Sequence, residues 1–260
     1  HNITFRIQQR WWWNRIGDQF MRHHRLWEQR FWLHWYLRII ASGTDANRLW
    51  WTLQHADERD RNRWTVREWD SLGRKFGPLV KRAAKRGCKR LWRRYTPCPP
   101  SAKPESNRVD TEVIIGLTGI QAQLDDGEIR FDEFTDAEAR TATLYAVNEL
   151  NSPPSWLDKL AVDRPAPVAA ALRECIEHEW SMPPDQIRVF GVLSKVLSRA
   201  DTYGELVRPA VLELLRRSDP SQPTLLDFAL RLVLPARPVD LASLACERVQ
   251  LHSRENSTTA

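Results

Sequence analysis

Cysteine is scarce, with four residues in 260. That excludes a disulfide-dense secreted scaffold, in which paired cysteines stand in for a core. Long apolar runs are missing as well. No stretch of 18 uncharged apolar residues occurs, so no segment has the character of a transmembrane helix. The glycine and histidine signatures of common enzymes are also absent. There is no Gly-x-x-x-x-Gly-Lys phosphate loop, no Gly-x-Gly-x-x-Gly, no Gly-x-Ser-x-Gly elbow and no His-Glu-x-x-His. Gly116-Leu-Thr-Gly119 comes nearest, but it is too short to cradle a phosphate and no lysine follows it. Ordinary helix packing is the default for these glycines. The expectation is a chain with no catalytic residues, no cofactor and no metal. It begins at His1 and carries three arginines and three tryptophans within fifteen residues. This is unlike a signal peptide; the expectation is the cut edge of a longer, cytoplasmic protein.

What is there is a split of charge. Residues 1–110 hold 24 Lys+Arg against 10 Asp+Glu, whereas residues 111–260 hold 15 against 23. Eleven of the thirteen tryptophans also lie in the first part. Between Tyr95 and Asn107 there are four prolines in thirteen residues. Proline removes a backbone N–H and clashes with the preceding helical turn. The expected organisation is a basic Trp/Arg-rich helical segment over 1–95, a Pro-rich linker or surface strap over 96–110, and an acidic helical domain over 111–260.

The acidic part carries helical periodicity. Val168, Ala171, Leu172, Cys175, Ile176 and Trp180 fall on one stripe. Val189–Ala200 and Val207–Leu215 repeat the pattern, as do shorter runs at 142–150 and 241–249. Leu225–Leu234 is apolar nearly all round, which predicts a helix buried between neighbours. Thr135 with Glu138 is a capping-box pattern, and Pro154, Pro165, Pro184, Pro223 and Pro238 open or precede periodic runs. Val113-Ile-Ile-Gly-Leu117 is the single strand-like piece. The predicted class is all-α, an irregular α-solenoid-like (HEAT-like) array behind the basic segment. Trp156 and Trp180 are predicted core anchors.

In the basic part, one helix is expected over 4–41, a second over 45–73 and a third from Pro78 to Tyr95, with breaks at Gly43 and Gly77. Ile16, Phe20, Trp27, Phe31 and Trp35 share one face of the first helix; Leu26, Leu33, Leu37 and Ile40 share the adjoining one. In the third, Lys81/Arg82, Lys85/Arg86, Lys89/Arg90 and Arg93/Arg94 recur every four residues. That period nearly matches the helical turn, so the eight cations form one stripe. No Asp or Glu occurs from Ser71 to Pro104. Two readings stay open. The stripe is a basic face that is solvated or docked on acidic surface, or it contacts a phosphate backbone without reading bases.

Other candidates have blander explanations. Asp125–Phe134 resembles the second half of a calcium loop with Gly127 as the turn glycine. Ala122 and Leu124 then occupy the first and third ligand positions, and neither ligates calcium; a polar turn before a capped helix is expected. His23, His24 and His34 cluster, and His24 with Glu28 could share a metal, but no further ligand completes a zinc site. Cys175 and His178 are likewise without partners in sequence.

Several stretches together carry a resemblance. They are Asp57-Glu-Arg-Asp-Arg61, Phe76-Gly-Pro78, Leu91-Trp-Arg-Arg-Tyr-Thr-Pro97, Gly116-Leu-Thr-Gly119, Tyr145-Ala-Val-Asn-Glu-Leu-Asn151, Trp156-Leu-Asp-Lys-Leu160 and Phe190-Gly-Val-Leu-Ser194. Over most of residues 55–250 the chain resembles the helical region downstream of the ATPase module in large bacterial NACHT-type proteins, signal-transducing P-loop ATPases. The resemblance implies a helical scaffold that senses a ligand or restrains the ATPase, with any ATP site upstream of His1. The expected partner is a protein or another domain of the parent chain. The alternative is nucleic acid or another polyanion on the basic helix. A membrane surface ranks last, since tryptophan stripes more often pack on neighbouring helices.

Overall fold

The computed structural model describes residues 27–54, 69–102, 110–149, 152–183, 191–220, 222–235 and 238–246. All regular structure among the described residues is helical. The chain divides into two compact units, His1–Leu91 and Trp92–Ala260.

The first unit contains α1 (residues 27–35), α2 (Leu37–Ser42), α3 (Ala46–Gln54), α4 (Trp69–Phe76) and α5 (Pro78–Leu91). The expected helix over 4–41 is interrupted at Tyr36, where α1 ends and α2 begins. Residues 1–26, which include Ile16, Phe20, His23, His24 and Leu26, lie outside the described residues, as do 55–68. Gly43 (φ 71°) and Gly77 (φ 95°) adopt left-handed conformations at the ends of α2 and α4, where a side chain would be strained. Both breaks fall where the sequence marks them. α5 is the centre of this unit and packs on α2, α3 and α4. Its row of Val80, Ala84, Cys88 and Leu91 is buried, as are Ile40, Leu49, Leu72 and Phe76 on the helices it packs against. Contact with α2 is close enough that a Cβ on Gly87 would stand 2.0 Å from the Ile40 carbonyl oxygen.

The second unit contains α6 (Thr111–Asp125), α7 (Asp136–Val147), α8 (Trp156–Asp163), α9 (Pro165–Trp180), α10 (Val192–Leu197), α11 (Ala200–Arg217), α12 (Pro223–Val233) and α13 (residues 238–246). α9 is the hub and packs on α7, α8, α10 and α11, while α12 lies against α10 and α11. The stripe from Val168 to Trp180 is buried along α9, and Trp156 is buried at the start of α8. Both tryptophans belong to the core, as their spacing predicts.

Two local readings are corrected. Val113–Leu117 is not a strand but the interior of α6, where every residue from Val113 to Ile120 is buried. The β-branched run serves a helix surrounded by other segments, where burial overrides intrinsic preference. Conversely, α12 is not enclosed: Leu225, Ala229, Leu232 and Val233 face the core, but Leu230 and Leu234 are exposed. Apolar content alone marks α6 and α12 alike; which one is enclosed depends on neighbours distant in sequence.

Candidate functional site

α5 starts on Pro78, where proline's missing N–H costs nothing. The apolar pairs of its four-residue repeat turn inward from Val80 onward, while Leu79 is exposed. The cations therefore flank the buried row, and they divide into two kinds. Lys81, Lys85 and Lys89 are half-buried along one edge, whereas Arg82, Arg86 and Arg90 are exposed. Two lysines of this edge are engaged within the unit. Lys81 Nζ donates to Asp70 Oδ1 at 2.5 Å. This hydrogen bond, with the ammonium charge beside it, holds the Asp70 carboxyl below its ordinary range. Lys85 Nζ lies 5.8 Å from the ring centroid of the buried Trp69, within cation–π reach. Lys89 also has a partner within the protein. Asp70 sits one residue before the acid-free stretch that begins at Ser71, so its ion pair to Lys81 arises from the turn at Gly77.

The arginine row is differently placed. Arg82, Arg86 and Arg90 are spaced i, i+4, i+8 and span about 12 Å of helix axis. Arg90 Nη1 donates to the Ala41 carbonyl at 3.2 Å, which fixes one end of the row. None of the described carboxylates forms an ion pair with Arg82 or Arg86.

The helix ends at Leu91, not Tyr95, so Arg93 and Arg94 leave the stripe and belong to the second unit. There, Trp92 is fully buried, stacks on Phe134 and donates its indole N–H to Gln123 Oε1 at 2.7 Å. Arg93 Nη1 donates to the same oxygen at 2.7 Å, and its Nε donates to Glu138 Oε1 at 3.1 Å. Arg93 thereby becomes a structural tie within the second unit. Arg94 is exposed and has a partner of its own.

His23 and His24 lie outside the described residues; the other candidates resolve into packing. Ala122 and Leu124 lie in α6, Gly127 (φ 66°) makes the turn after it, and Thr135 caps α7. His34 Nδ1 lies 2.7 Å from the Arg30 carbonyl oxygen, and His178 Nδ1 lies 2.9 Å from Ser101 Oγ. Burial pushes the thiols of Cys88 and Cys175 up to about 12, so neither is a thiolate at neutral pH. Among the described residues no three His, Cys, Asp or Glu side chains gather as a metal site, and no helix is long and apolar enough to cross a membrane.

The inward face of α1 and α2 carries Leu33 and Ile40, which leaves Trp27, Phe31 and Trp35 exposed. Their spacing as a shared face is legible in the sequence; its outward direction is not, because both apolar faces of the segment compete for the interior. No family model, no curated protein and no solved structure matches the chain.

Proposed function

We propose that the chain is a non-catalytic helical binding segment whose first unit holds a polyanion, nucleic acid in the first instance, through Arg82, Arg86 and Arg90. The observation that carries this reading is the sorting of the cations on α5. Lys81 and Lys85 are held by Asp70 and Trp69, while Arg82 and Arg86 stand exposed and no carboxylate among the described residues pairs with them. A row spanning about 12 Å runs along roughly three base-pair steps of duplex axis, at about 3.4 Å each, so each arginine can reach one phosphate. Arginine suits that task, because its planar guanidinium bonds phosphate oxygens bidentately.

The test is binding of duplex DNA by the full chain across a range of salt. Neutralising three phosphates gives a slope of about −2.7 in log affinity against log salt. Arg82→Ala/Arg86→Ala/Arg90→Ala flattens that slope, and Lys81→Ala/Lys85→Ala/Lys89→Ala keeps most of it. Absence of binding at low salt, or equal loss in both variants, defeats the reading.

The second unit is read as a protein-binding scaffold in the cytoplasm, the role implied by the resemblance to the region downstream of a NACHT-type ATPase. Leu230 and Leu234, one helical turn apart on the open side of α12, support it. A Gly-x-x-x-x-Gly-Lys module encoded upstream in the same reading frame supports membership of such a parent protein; a frame without one removes that support.

A further inference from the structure

Trp27, Phe31 and Trp35 lie one turn apart on α1 and are 66 %, 51 % and 72 % exposed. Aromatic side chains of this size normally bury most of their surface. Here they stack on one another instead. Trp27 and Phe31 have ring centroids 6.0 Å apart with planes inclined by 17°, and Phe31 and Trp35 follow at 6.4 Å and 26°. The three rings therefore form a ladder of nearly parallel plates along the helix. The adjoining pair is already engaged, since Trp32 stacks on Tyr36 and Arg48 lies 3.5 Å from the Tyr36 centroid.

The charge beside the ladder is basic. Arg30 follows Trp27 by three residues on α1 and is anchored by donating from Nε to the Lys75 carbonyl at 2.7 Å, and Arg38 follows Trp35 at the start of α2. Glu28 is the sole acid between Asp18 and Asp45. A row of flat apolar faces beside arginines is what a single strand of nucleic acid requires: bases stack on the rings and phosphates meet the guanidinium groups. The spacing separates strand types. A step of 6.0 to 6.4 Å is nearly twice the rise of about 3.4 Å per base on one strand of a duplex. It suits a strand whose bases are splayed apart, and a duplex hides its base faces altogether. An anionic membrane is the competing partner for tryptophan beside arginine. A membrane interface takes Trp and Phe in any mutual orientation, whereas the rings of this face are co-oriented, with Leu33 and Ile40 turned inward.

We infer that Trp27, Phe31 and Trp35 form a base-stacking platform for single-stranded nucleic acid, distinct from the arginine row of α5. The platform adds strand selectivity to the first unit and does not depend on the duplex contact proposed for Arg82, Arg86 and Arg90.

The test uses the full chain with three probes: an oligothymidylate, a duplex of the same length and phosphatidylserine-containing vesicles. Two variants are compared with the parent protein, Trp27→Ala/Phe31→Ala/Trp35→Ala and the corresponding triple leucine substitution. The rings are exposed, so their loss leaves the core in place; circular dichroism verifies this. Leucine retains apolar surface for lipid or protein but removes the stacking face. The expected result is a loss of at least about 100-fold in oligothymidylate affinity in both variants, with duplex affinity unchanged. If duplex binding fails while ring-dependent single-strand binding stands, the arginine-row reading falls and the platform remains. Three results overturn the platform: no oligothymidylate binding by the parent protein, full binding by the leucine variant, or vesicle binding that depends on the rings while oligothymidylate binding does not.

Discussion

A methyl group on Gly116 would stand 2.0 Å from Cε1 of Tyr145, inside its ring edge. α6 and α7 approach closely there because one of them has no side chain, so the tyrosine ring fills the space against bare backbone. The ring is fully buried and its hydroxyl donates to the Tyr95 carbonyl at 3.0 Å. Burial drives that hydroxyl's pKa far above its ordinary value, so it stays a neutral donor. Sequence reasoning assigns the Gly116–Gly119 pair to helix packing and not to phosphate binding; the residue that needs the glycine, 29 positions away, is not written in any local pattern. Gly116→Ala is expected to destabilise the second unit by about 1–3 kcal/mol through overpacking. In a Tyr145→Leu background the same methyl costs less, because the obstructing ring is gone. A double-mutant cycle by chemical denaturation measures the coupling, and additive costs refute the account.

α7 shows at the scale of one element how a local signal is completed by a distant residue. Thr135 and Glu138 form the capping box that their spacing predicts: Glu138 N–H donates to Thr135 Oγ1 at 3.2 Å, and Thr135 N–H donates to Glu138 Oε2 at 3.1 Å. The third member, Arg93, comes from 45 residues earlier, and no periodicity points to it. Burial opposes ionisation of Glu138, but the hydrogen bonds from Thr135 and Arg93 outweigh it, and the carboxyl is held below its ordinary range. A carboxylate with a depressed native pKa adds stability that is present above its unfolded value and disappears as pH falls through the native one. The unfolded value is about 4.3. Glu138→Gln is therefore expected to lower the melting temperature at neutral pH, with the deficit shrinking as the pH drops below about 4. A deficit that holds constant from neutrality into acid contradicts the charged role. The same limit on legibility applies to α1 and α5. Their stripes are plain in the sequence, but which stripe faces outward is decided by Leu33, Ile40 and Asp70, through contacts that the repeat does not encode.

Across the whole molecule, charge and packing divide the chain at different places. The first unit carries 20 Lys+Arg against 8 Asp+Glu, the second 19 against 25. Composition changes where the prolines cluster, after Tyr95, but the second packed unit begins at Trp92. Prolines forbid a helix without forbidding contact, and the extended segment around them is tied down. Asn148 Nδ2 donates to the Cys98 carbonyl at 3.0 Å, Ser101 Oγ meets His178 Nδ1 at 2.9 Å, and the 3₁₀ turn Pro100–Ala102 lies against α9. Trp92 itself sits in the core of the second unit, stacked on Phe134 and bonded to Gln123. A fragment beginning at residue 111 therefore keeps the periodic helices but lacks a buried tryptophan and leaves Gln123 and Asn148 without these partners. Truncating a buried tryptophan costs about 3–5 kcal/mol. In a unit of this size each kcal/mol shifts the melting temperature by about 2–4 °C. Fragment 111–260 is thus expected to melt at least about 6 °C below fragment 92–260, or to lack a cooperative transition. Thermal denaturation of the two fragments in one buffer decides the matter, and coincident transitions would show that Trp92 and the strap contribute nothing to the fold they pack against.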